Sequence, residues 1–90
     1  MILPELYKQG KKDIALWSIS VDKDDEGEFF YETTWGTPDK LQSKRFYQDK
    51  KGNPLIRSTA EELAIKLWKQ KLSKPEYYTE EQLNDFLKKN

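Results

Sequence analysis

The sequence contains no cysteine and no histidine. Those absences exclude a disulfide framework, a thiol nucleophile, Ser–His and Cys–His catalytic pairs, and a zinc site of imidazole or thiolate ligands. Glycine is scarce too, at four residues, and there is neither a dinucleotide-binding nor a Walker-type loop. Lys51-Gly52-Asn53-Pro54 has a single glycine, and its proline interrupts the run of amide donors that a phosphate cradle needs. No stretch approaches the roughly 18 apolar residues of a membrane span. The first turns of sequence carry Glu5, Lys8, Lys11, Lys12 and Asp13 where a signal peptide would have an apolar core. The expectations are a soluble, cytoplasmic, non-catalytic protein with no cofactor, no small-molecule substrate and no membrane partner. The acidic run Asp22–Glu28 lacks the register of a calcium loop, so a solvated hairpin is the preferred reading over a metal site.

What is present is a chain of 90 residues, one domain by size, with 36% charged and 36% hydrophobic residues. The core must be small and the surface densely charged. Three Trp, five Tyr and four Phe are nonetheless too many large rings for a disordered chain. Net charge is zero, but the charges are sorted along the sequence. From Asp22 to Glu32 six acids face one base, a net of −5; from Lys40 to Arg57 six bases face one acid, a net of +5. Such a chain can turn a basic face toward phosphates and an acidic edge away from them, although two solvated loops of opposite sign would give the same pattern.

Leu3–Tyr7 reads as a short edge strand, and Gln9-Gly10-Lys11-Lys12 as a polar turn. Trp17, Ile19 and Val21 alternate with Ser18 and Ser20, the period of a strand with one buried face. Asp22–Gly27 then reads as a hairpin turn into a second strand, Glu28–Trp35, with Phe29, Tyr31, Thr33 and Trp35 on one side and Phe30, Glu32 and Thr34 on the other. After a turn at Gly36-Thr37-Pro38-Asp39, a third strand is expected over Leu41–Gln48, with Ser43 and Arg45 on one side and Gln42, Lys44 and Phe46 on the other. Thr59-Ala60-Glu61-Glu62 matches a capping box, and Ala60, Leu63, Ala64, Leu67, Trp68 and Leu72 form one apolar stripe ending before Pro75. Thr79-Glu80-Glu81-Gln82 is a second capping box before Leu83, Phe86 and Leu87. The fold class is therefore α+β: a small twisted antiparallel β-sheet with one long amphipathic helix packed on it, plus a short C-terminal helix. Trp17 and Trp68 are assigned to the core.

The candidate binding surface comprises Trp35 and Gly36 at a strand end, then Lys40, Gln42, Lys44 and Arg45, then Lys50, Lys51 and Asn53 in a basic loop, and Arg57. Rings interleaved with bases suit nucleic acid, because cations take phosphates while a flat ring stacks on a base or sugar. For Trp35 taken alone, a core position remains open beside a contact role.

Tyr7, Ala15–Val21, Tyr31-Glu32-Thr33-Thr34-Trp35-Gly36-Thr37, Leu41-Gln42-Ser43, and Ser58–Ala64 running to Trp68-Lys69-Gln70-Lys71 together resemble the WGR domain. The nearer likeness is to the WGR-like module at the N-terminus of phage and viral DNA ligases. The resemblance spans about residues 5–78, so that 1–78 reads as the WGR-like domain and 79–90 as a short helical extension. It implies a twisted antiparallel sheet with one helix across it. In the poly(ADP-ribose) polymerases that carry it, it is a DNA-break-binding module that also contacts neighbouring domains. Trp35 and Gly36 match the signature Trp-Gly, and Gln42 the Gln beyond it. Thr37 stands where the signature has Arg, so a contact made by that Arg is absent or moved to Lys40, Lys44 or Arg45. The resemblance implies duplex DNA with nicks or ends as partner, in the company of a ligase or another repair protein. The alternative is an assembly adaptor or inhibitor, phage-encoded, that contacts protein and not DNA.

Overall fold

The computed structural model describes residues 1–9 and 13–88, so most of the turn expected at residues 9–12 lies outside the described residues. Five strands and two helices are formed: β1 (Leu6–Gln9), β2 (Ile14–Lys23), β3 (Phe29–Gly36), β4 (Gln42–Phe46), α1 (Arg57–Leu72), β5 (Tyr77–Thr79) and α2 (Glu80–Lys88). The strands make one antiparallel sheet in the order β4-β3-β2-β1-β5. The fold is thus α+β, as the sequence implies.

β2 and β3 form its centre. Trp17 pairs with Trp35, Ile19 with Thr33 and Val21 with Tyr31, so these six side chains share one face. That face meets α1. Leu6, Trp17, Ile19, Val21, Leu55, Ala60 and Ala64 are buried together, with Leu63, Leu67, Trp68 and Leu72 packed around them. Ala60 and Ala64 are both fully buried; small residues one turn apart let the helix backbone settle close to the sheet. Trp68 sits at the margin of this core, half-buried, and its indole Nε1 donates to the Pro4 carbonyl at 2.7 Å. The opposite face is not bare. Phe30, 4% exposed, is covered by the Tyr47 ring at 5.4 Å and by the Arg45 guanidinium at 4.3 Å.

Three local expectations are corrected. The first strand is Leu6–Gln9 and not Leu3–Tyr7, and it is an interior strand. Pro4 cannot donate to a ladder, and β5 closes the outer edge through the pairs Leu6–Thr79, Tyr7–Tyr78 and Lys8–Tyr77. The helix begins at Arg57, with Ile56 as its N-cap; Thr59 lies inside the first turn, where its hydroxyl accepts from the Ile56 N–H at 3.1 Å. The third strand is shorter than expected, at Gln42–Phe46, because the chain leaves the β3 edge after Phe46 to enter the turn held by Asp49. The second capping box forms as expected: the Thr79 N–H donates to Gln82 Oε1 at 3.0 Å, and the Gln82 N–H to Thr79 Oγ1 at 3.3 Å. Leu83 is buried beyond it; the side chains of Phe86 and Leu87 lie outside the described residues. No described helix is long and apolar enough to cross a membrane.

Candidate nucleic-acid interface

Trp35 is the next-to-last residue of β3 and its final side chain on the α1 side of the sheet, opposite Trp17 on β2 and Gln42 on β4. Trp17 is 7% exposed and Trp35 37%. Gly36 follows with φ of +121°, a conformation in which a side chain is strained, and an added Cβ would run into the Lys40 carbonyl oxygen. Glycine therefore lets the chain turn tightly enough for the Lys40 N–H to donate to the Thr37 carbonyl at 2.9 Å. That turn brings Lys40 back beside the Trp35 end of β3.

Lys44 is on the same side of the sheet as Trp35 and Gln42. Its ammonium lies 5.1 Å from the Phe46 ring centroid, and Phe46 stacks on Tyr31 at 4.8 Å. Trp35, Gly36, Lys40, Gln42 and Lys44 thus belong to one strip of sheet that α1 leaves uncovered. Strand alternation sends Arg45 to the other face. There its Nε donates to Glu32 Oε2 at 3.2 Å, and hydrogen bonding to Tyr47 and Glu32 holds the guanidinium above its ordinary pKa.

The remaining candidates lie elsewhere. Arg57 stacks its guanidinium 5.5 Å from the centroid of Phe29, the first residue of β3. Six residues of strand, roughly 20 Å, separate that end from Trp35. Lys51 and Asn53 lie in a turn gathered by Asp49, whose Oδ1 accepts both of their backbone N–H groups at 2.9 Å. These bonds, that from Asn53 foremost, hold the Asp49 carboxyl below its ordinary range. The Asn53 amide itself turns inward to Asp49 Oδ2 at 3.4 Å. Lys50 reaches back toward α1, into a small hollow shared with Tyr31, Leu63 and Lys66. The +5 segment therefore runs from one end of the sheet to the other and is not a single patch.

Missing from the sequence-derived set are the lysines of α1 and Lys74 in the turn that follows it. Gln70, Lys71 and Lys74 line a hollow of about 100 Å³ with Trp17 and Leu67. The Lys71 ammonium sits 5.6 Å from Trp17 and 5.2 Å from Tyr77, and Lys8 lies 5.9 Å from Tyr77. Charge complementarity to the helix C-terminus accounts for these lysines only in part. Lys66 and Gln70 stand four residues apart and so share one flank of the helix, a spacing that was readable in the sequence, and Lys74 follows just beyond the helix end. An aromatic ring on an open strip of sheet, with cations on β4 and along the adjoining helix flank, can stack on a base or sugar while the ammonium groups meet phosphates. Among the described residues no group of acids is arranged to hold a metal ion. No protein-family model, no curated protein and no solved structure matches the chain.

Proposed function

We propose that the protein is a non-catalytic nucleic-acid-binding module that engages duplex DNA near nicks or ends, as an accessory to a DNA ligase or another repair protein. The observation that carries this reading is Trp35: an indole 37% exposed on the open strip of the sheet, beside Gln42 and Lys44 and next in register to the residue that Lys71 covers. The resemblance to WGR modules supports it, since the five-stranded sheet crossed by one helix agrees with what that resemblance implies. Backbone charge supplies affinity with little base specificity, and the ring supplies preference for broken strands. Titrating the protein with nicked, blunt-ended and closed circular duplexes at two salt concentrations tests this. The expected result is tighter binding to the broken duplexes and a steep loss with salt for all of them.

A protein-interaction module is the second reading, favoured by Leu41, which is 48% exposed immediately before β4. A weak salt dependence with no preference among the duplexes would move the assignment there.

A further inference from the structure

The end of the sheet opposite Trp35 carries a cleft of about 410 Å³ between the β2–β3 turn and the segment entering α1. That volume falls in the range of about 300–1,000 Å³ typical of ligand sites. Phe29, Tyr47, Pro54, Leu55 and Ile56 give it aromatic and aliphatic walls, and Glu28 stands at its lip. Leu55 is buried and Phe29 and Tyr47 partly so, whereas Ile56 is 61% exposed.

Ile56 is out of place by local rules. It is the N-cap of α1, where Ser, Thr, Asp or Asn would satisfy a free amide, and it makes no side-chain cap. Thr59 repairs the end from within the helix, accepting from the Ile56 N–H at 3.1 Å and donating to its carbonyl at 3.0 Å. The chain forgoes a polar cap and holds a large apolar group in water at the mouth of an apolar cleft. A position that breaks a local rule without a folding benefit marks an interaction surface.

Glu28 at the lip and the acidic β2–β3 turn that leads to it supply the sign of the partner. Asp25, Glu26 and Glu28 are exposed, and among the described residues none of them makes a salt bridge. Asp24 is occupied, its Oδ1 accepting the Glu26 and Glu28 N–H groups at 3.0 Å each. Of the cations at this end, Arg57 is laid over Phe29, Arg45 is engaged by Glu32 and Tyr47, and Lys23 stands on the far side of Phe29 beside Arg57 and Glu61. We infer that this cleft docks a basic, apolar-anchored segment of a partner protein, which inserts an apolar side chain beside Ile56 and lays lysine or arginine along Asp25, Glu26 and Glu28. The site does not depend on the DNA reading. At roughly 20 Å from Trp35 along β3, both ends can be occupied together, which makes the domain a two-ended adaptor.

A labelled short peptide alternating lysine with leucine and phenylalanine, and its glutamate counterpart, provide the probes for fluorescence anisotropy. The lysine peptide is expected to bind at least about tenfold more tightly than the glutamate one, with an affinity that falls with salt. Ile56→Ser weakens it by about tenfold while leaving the melting temperature unchanged or raised, since serine restores a cap. The pair Asp25→Lys and Glu26→Lys weakens it as well, and a nicked duplex does not displace it. Equal binding of the two peptides, no measurable binding of the lysine peptide, or full binding to Ile56→Ser overturns the inference. Self-association in sedimentation equilibrium that is lost in Ile56→Ser would make a second copy the occupant, and would also overturn it.

Discussion

β2 and β3 each bring a tryptophan to the same face of the sheet, in register with one another, and only one is covered. The reason is width. A helix with its side chains is about 10 Å across, which matches about two strand spacings of 4.8 Å. A single helix cannot cover five strands. α1 lies over the β2 side, so Trp17 is enclosed by Leu67 and Lys71, while Trp35 and the adjoining β4 residues stay outside its shadow. The same residue type in the same register is thus core in one place and exposed surface in the other.

The largest expected effect comes from the covered side. Trp17→Ala removes the ring beneath α1 and should cost about 3–5 kcal/mol, close to the whole stability of a small domain; thermal or urea unfolding measures it, and a melt near wild type would break the comparison. Next is Gly36→Ala, which forces a side chain into a positive-φ turn against the Lys40 carbonyl. It should destabilise by about 1–3 kcal/mol, and it should also move Lys40 relative to Trp35, so that DNA affinity falls more than the melting temperature alone explains. A smaller effect separates the two faces. Lys44→Gln with Lys74→Gln should lower the salt slope of DNA binding by about 2, whereas Arg45→Gln should leave that slope unchanged, because its guanidinium faces away and pairs with Glu32. Equal slopes for the two variants would show that DNA does not distinguish the faces.

The smallest effect is with pH. Backbone amides hold the Asp24 and Asp49 carboxyls below their ordinary value of 3.8, with the bond to the Glu28 amide leading for Asp24 and that to Asn53 for Asp49. A depressed folded-state pKa gives stability that is present above the unfolded value and lost as pH falls through the folded one. The melting temperature advantage of wild type over Asp24→Asn with Asp49→Asn should therefore hold at neutral pH and shrink below about pH 4.

Much of this was readable before any fold was known. Strand alternation placed Trp17, Ile19 and Val21 together, and it put Lys44 and Arg45 on opposite faces; all six positions of the helix stripe meet or border the core. Summing charge over Lys40–Arg57 obscured that alternation, since a linear count does not know that this segment passes from one end of the sheet to the other by way of β4. β5 was hidden because Tyr77-Tyr78-Thr79 is too short to show a period and runs directly into a capping box. Its existence depends on pairing with β1, some seventy residues earlier in the chain. The helix start shifted for a related reason. With Leu55 buried in the core, the chain enters α1 three residues before a Thr59 cap would start it, and the threonine hydroxyl serves Ile56 instead. Exposure of Trp35 was not readable at all, because it depends on where a helix twenty residues downstream comes to rest.

The claim that Trp35 is the break-sensing contact on an uncovered strip is tested most directly by one ratio: the affinity for nicked duplex over that for closed circular duplex, measured in Trp35→Ala and in wild type at equal salt. The account expects a variant that melts close to wild type and loses about 1–3 kcal/mol of affinity for nicked DNA with little change for closed circles, so that the ratio collapses toward one. A folded variant that keeps the wild-type ratio would contradict it.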